Sequence, residues 1–264
     1  MRPPEGLELA APEFPPELDW LGAPFVRMDR LIGRHAALVE FWDFARVNSL
    51  RTLPYLRAWH ERYGDCGLQL IGVHSPGYSF GRDPEVVARA VERLEVPFPV
   101  VLDPELAVWR LYDNRGWPAR YLFDRRGVLR YFHLGEGDYA GTELALQEAL
   151  REIEPDLELP DPVDPLRPED APGVELTPQT ADVALPADRG RVELLRDWVD
   201  GDDWIEAADA GASATVRFRA GGAWAVLSGS ALEPGLYETD GTVVAEEPGL
   251  RLHGFQFEPL PPGG

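Results

Sequence analysis

Cys66 is the lone cysteine of this 264-residue chain, and His35, His60, His74, His133 and His253 are its histidines. A single cysteine cannot close an intrachain disulfide, and by itself it gives no redox compartment. The histidines are scattered, with no pair at i and i+4 and no cysteine beside them, so metal-ligand spacing is absent. His74, in GVHSP at the end of an apolar run, borders the most interesting corner of the sequence, although a satisfied structural histidine is the plainer account. No lysine occurs, and all 25 basic residues are arginine. A Walker-type phosphate loop, a Schiff base and a lysine general base are thereby excluded. The acid pairs Asp202-Asp203 and Glu246-Glu247 lie outside any D-x-D-x-D-G loop and read as solvated turns. Trp198, Trp204 and Trp224 suit a sugar platform or, more simply, a β core.

The elements that must position these residues follow from charge and pattern. A formal charge of −21 and a pI near 4.6 repel phosphate backbones and anionic lipid, so neither nucleic acid nor a membrane is expected as partner. The start, MRPPEGLELAAPEFPPELDW, has no basic n-region with an apolar h-region and no run that could span a bilayer, which implies a soluble, cytoplasmic chain. Residues 1–17 are Pro-rich and acidic and read as an extended arm, with order beginning near Leu18. AALVEFW from Ala36, an apolar run broken by one acid, reads as a strand buried on both faces. A helix follows from about Val47 to Tyr63, kinked at Pro54. LQLIGVHS from Leu68 is a second buried strand and EVVARAVERL from Glu85 a second helix. VPFPVVLD, ARYLFD and VLRYFHLG are further strands, and ELALQEAL from Glu143 is a closing helix.

From Glu152 to Pro172 there are six prolines and eight acids against one arginine, the composition of a stiff linker that cannot fold alone. Beyond it, WIEAADA, ATVRFRA, AWAVLSG, GTVVAEE and LHGFQFEP recur at short spacing, favouring a small antiparallel β domain over 173–260.

FWDFARVNSLRT, at Phe41 to Thr52, closely resembles the strand-to-helix corner of thioredoxin-like domains of the TlpA and DipZ type, which read F-W-x-x-x-C-x-x-C. The resemblance continues through LIGVHSP (Leu70 to Pro76), PVVLDPELAVWRLY (Pro99 to Tyr112) and NRGWPARYLFDRRGVLRYFHLGEG (Asn114 to Gly137), covering about Asp19 to Arg151. It implies a thioredoxin fold over 18–151, a central mixed sheet flanked by helices. The tail, ending PGLRLHGFQFEP, resembles a shortened form of the jelly-roll domain that follows thioredoxin modules in DipZ-type proteins.

By that resemblance Arg46 stands where the first cysteine of the redox pair belongs, and Ser49 where the second belongs. In the family the first is held as a thiolate by the helix N-terminus, and the second resolves the mixed disulfide. Neither Arg46 nor Ser49 exchanges disulfides, and a peroxiredoxin reading fails at Arg46 for the same reason. Pro118, after Trp117, falls at the family's cis-proline, whose loop opposes the redox motif and binds extended backbone. Arg46 has two readings: an anion site built with the free helix N–H groups, or a drifted position paired with a local acid such as Asp43. The expectation is a redox-inactive binding or scaffold protein with no cofactor. It would hold a peptide, a protein segment or a small anion with Trp42, Arg46, Asn48, Ser49, Trp117 and Pro118. The alternative is a redoxin-related enzyme acting through an external thiol such as glutathione or a partner's cysteine.

Overall fold

The computed structural model describes every residue except Glu5, Leu7, Ser230 and 262–264. The described residues form two compact units. The first comprises Met1–Asp43, Asn48–Pro76 and Gly81–Pro172; the second comprises Phe44–Val47, Gly77–Phe80 and Gly173–Gly264. No helix among the described residues is long and apolar enough to cross a membrane.

In the first unit the apolar runs become strands because both faces of the sheet are covered. β1 (Trp20–Leu21), β2 (Ala36–Trp42), β3 (Leu68–His74), β4 (Val100–Leu102), β5 (Ala119–Phe123) and β6 (Leu129–Leu134) form one sheet in the order β1-β4-β3-β2-β5-β6. β2, β3 and β4 run parallel, and β1, β5 and β6 pair antiparallel to their neighbours. This is the mixed sheet of a thioredoxin fold. All seven residues of β2 are buried. Alternate side chains of a strand point to opposite faces, and Val39 and Phe41 join a core with Phe14, Ile71, Tyr112 and Tyr121.

The helices are α1 (Met28–Leu31), α2 (Val47–Tyr63), α3 (Pro84–Arg93), α4 (Ala107–Leu111) and α5 (Tyr139–Ile153). α2 has the expected bounds and runs through Pro54 as a single helix. α3 starts where Asp83 accepts the Glu85 N–H at 2.9 Å and Pro84 fills the first turn, two ordinary start signals. α4 is too short to show periodicity in sequence; Asp103 makes it, accepting from the N–H groups of Val108 and Trp109. α5 starts four residues before the expected Glu143.

The expected arm and linker are both tied into this unit. Phe14 is buried, Glu13 accepts from the N–H groups of Met28 and Asp29, and Leu9 to Ala11 pair beside β6. Order therefore begins well before Leu18, because one aromatic side chain anchors the segment and a sheet edge offers unpaired backbone groups. Glu5 and Leu7 of the arm lie outside the described residues. In the linker, the N–H groups of Val163 and Leu166 donate to Glu143 and Tyr55, and Gln147 donates to the Pro160 carbonyl. A proline-rich strand that cannot fold alone is here laid along two helices, satisfying its backbone with their side chains.

The second unit holds two antiparallel sheets. One runs β13-β12-β15-β10-β9, with β7 also on β15: β7 (Val183–Ala184), β9 (Trp198–Asp200), β10 (Ile205–Ala207), β12 (Ala223–Ser228), β13 (Gly235–Thr239), β15 (Arg251–Phe257). The other is β14-β11-β8: β8 (Val192–Leu195), β11 (Ser213–Val216), β14 (Thr242–Val244). Ala225, Leu252, Phe255 and Phe257 of the larger sheet share one core with Val192, Ala214 and Val243 of the smaller. Trp198 belongs to that core, so it is not a surface platform.

Candidate functional site

The corner begins where β2 ends at Trp42. Trp42 is buried beside Gly72, where an added Cβ would lie 2.9 Å from the indole Nε1, so glycine makes the room the ring needs. His74 ends the neighbouring strand in register with Trp42, its ring edge-on at 5.6 Å. His74 Nε2 lies 3.6 Å from Asp43 Oδ1, both side chains fully enclosed. Ser49, also buried, accepts the Asp43 N–H at 3.3 Å through its hydroxyl oxygen. Asn48 is half-buried, and its Oδ1 is enclosed without a hydrogen-bond partner.

The loop before β5 completes this part of the first unit. The Trp117–Pro118 peptide is cis, as the resemblance implies. Trp117 is half-buried, donates its indole N–H to the Ser75 carbonyl at 2.8 Å and packs on Trp109 at 4.4 Å. Pro118 is buried, and its carbonyl accepts the Gly135 N–H. Ser75 donates its hydroxyl to Asp103, whose carboxyl burial pushes up in spite of the hydrogen bonds it accepts from Trp109, Val108 and Ser75.

Within the second unit, Phe44–Val47 are held by groups far away in sequence. Gln256 Oε1 accepts the Val47 N–H at 2.8 Å, and Gln256 Nε2 donates to the Ala45 carbonyl at 2.7 Å and the Tyr78 hydroxyl at 3.1 Å. This pattern fixes the orientation of the amide. Arg46 lies over the Tyr78 ring at 4.7 Å, a cation–π contact, and its charge works against the burial that pushes Asp182 up. The Val47 N–H, which an anion at this helix start would use, is already engaged.

A buried ion pair was not singled out by sequence. Glu40 and Arg120 face each other across β2 and β5, 3.5 Å apart and wholly enclosed. Burial pushes Glu40 up to about 7, with the Arg120 charge opposing it. Arg120 also sits over the rings of Tyr139 and Trp59. Its signal was the one acid interrupting AALVEFW, matched by the arginine of ARYLFD. Cys66, half-buried, follows the far end of α2, about 25 Å of helix from the corner, and points its thiol at the Arg62 carbonyl.

Sheet order, corner and cis-proline loop define a thioredoxin-like redoxin domain. Residues 18–132 match the AhpC/TSA family. Among relatives, the chain is 36% identical over 173 residues to protein DipZ of Mycobacterium bovis, covering 64% of this chain and 25% of DipZ. It is 27% identical over 143 residues to the thiol-disulfide oxidoreductase YkuV of Bacillus subtilis, covering 54% of this chain and 95% of YkuV. A solution structure of a thioredoxin-like protein in the oxidized form aligns with a TM-score of 0.51 at 26% identity, covering 56% of this chain and 98% of that one. The chain thus spans about a quarter of the length of the DipZ proteins it matches.

Proposed function

We propose that this protein uses a thioredoxin-like domain whose redox pair is replaced, by Arg46 and Ser49, as a redox-inactive binding or scaffold module. The observation that carries this reading is the placement of sulfur. The chain's lone thiol lies a full helix away from the corner, and the corner itself holds none. Thiol-disulfide exchange requires a thiolate at the attacking position, and a serine hydroxyl or a guanidinium supplies no such nucleophile. Engagement of the Val47 N–H by Gln256 and of Arg46 by Tyr78 supports the same reading over a small-anion site. For an extended peptide, the half-buried Trp117 and the backbone around cis Pro118 are suitable contacts, whereas Trp42, Ser49 and the enclosed Asn48 Oδ1 lie below, as buried supports.

The name of the relative YkuV favours a second reading, an enzyme that borrows an external thiol. Calorimetric titration with glutathione separates the two. The scaffold reading expects no saturable heat at millimolar ligand, while saturable binding lost in an Arg46→Ala or Asn48→Ala variant establishes the borrowed-thiol reading in its place.

A further inference from the structure

Outside the corner, the second unit carries a nucleophile, a base and an acid in line. Ser228 Oγ lies 2.7 Å from His253 Nε2, and His253 Nδ1 lies 3.5 Å from Asp203 Oδ1. His253 owes its position to a β-bulge. β12 and β15 pair Val226 with Gly254 and Leu227 with Leu252, so His253 is the extra residue, turned out of the ladder toward the end of β12. Bulges re-aim single side chains in this way. Gly229, next to Ser228, has φ +86°, and a Cβ there would meet the Gly249 carbonyl at 2.2 Å, so the chain turns sharply directly after the serine.

The acid is fixed as well. Asp203 accepts from the Ser79 N–H at 2.6 Å and the Ser79 hydroxyl at 2.9 Å. Burial works against its charge, but the neighbouring His253 and the hydrogen bonds from Ser79 prevail and hold the carboxyl below its usual range. In the tautomer with its proton on Nδ1, toward the Asp203 carboxylate, Nε2 is free to accept the Ser228 proton. Phe80 and Trp204, both half-buried, flank the imidazole at 4.9 and 5.8 Å. His253 Nδ1 is enclosed and faces Asp203 at 3.5 Å without completing a hydrogen bond. Here the bulge, the sharp turn and the clamped carboxylate act together on one hydroxyl.

We infer that Ser228, His253 and Asp203 form a nucleophile, base and orienting acid that accept the acyl or phosphonyl group of a small activated ester. Ser228 Oγ bonds to the acyl carbon while its proton moves to His253 Nε2. The ester C–O bond then breaks, and the leaving oxygen takes that proton. Water attacks the acyl-serine by the same relay, releasing the carboxylic acid and restoring the hydroxyl. Ser228 is 6% exposed, which restricts the electrophile to a small one.

The test treats the full chain with a small fluorophosphonate, which forms a phosphonyl-serine and releases fluoride, and then maps the adduct by peptide mass. The expected result is one adduct at Ser228, absent in Ser228→Ala, formed at least about 100-fold more slowly in His253→Ala and slowed less in Asp203→Asn. A wild-type protein with no adduct at Ser228, under conditions that fully label a serine esterase, overturns the inference whatever the variants do. So does an adduct whose rate is unchanged in His253→Ala.

Discussion

Replacing Arg120 by leucine is expected to destabilise the protein by about 3 to 5 kcal/mol at pH 8, because it leaves Glu40 buried with no opposing charge, so that its carboxyl must either stay charged and unpaired or take up a proton from solution on folding. The pair is completely enclosed between β2 and β5, so solvent screens neither partner. The double variant Glu40→Leu/Arg120→Leu is expected to lie within about 2 kcal/mol of the wild type, since apolar replacement removes two desolvation penalties together with one attraction. The pH dependence has a definite sign. Glu40 in the folded chain sits near 7, above the ordinary carboxylate value of about 4.3. Its contribution is therefore fully present below that ordinary value and is lost as pH rises through 7, by about 3 kcal/mol. Urea titrations at pH 5 and pH 8 read both effects. A single variant as stable as the wild type at pH 8, or a double variant that keeps the same loss between the two pH values, contradicts this account of Glu40.

Gln256→Leu is the second large effect. The substitution roughly keeps the volume but removes the hydrogen bonds Gln256 makes with the Val47 N–H, the Ala45 carbonyl and the Tyr78 hydroxyl, around a side chain only 1% exposed. A lost hydrogen bond costs about 0.5 to 1.5 kcal/mol and a buried group left unsatisfied about 1 to 3 kcal/mol, so a loss of about 3 kcal/mol is expected. Gln256→Glu keeps the acceptor for Val47 but gives up both donated bonds, and it should fall between. Chemical denaturation measures the series. A Gln256→Leu protein within 1 kcal/mol of wild type would mean that these three groups find other partners.

The parts of the fold set by local pattern were legible. Seven consecutive buried residues in β2 and the bounds of α2 follow from runs and spacing, and the place of cis Pro118 from the family resemblance. What escaped depends on distance along the chain. Gln256 meets Val47 across 209 residues, and nothing near either one announces the other. Glu40 appeared only as an acid interrupting an apolar run, since strand register was needed to place Arg120 opposite. Phe14 sits among prolines and acids, and a single anchoring ring has no period to detect. His253 looked isolated in sequence because its partners come from the end of another strand and from the Asp202-Asp203 turn, joined by a bulge that no local pattern encodes.

The most direct test of the central claim, a thioredoxin-like corner without redox chemistry, is the reduction of insulin by the full wild-type chain with dithiothreitol as electron source. The account predicts a turbidity course that overlays dithiothreitol alone at every protein concentration. Acceleration proportional to protein concentration would contradict it and return Cys66 to the position of a working thiol.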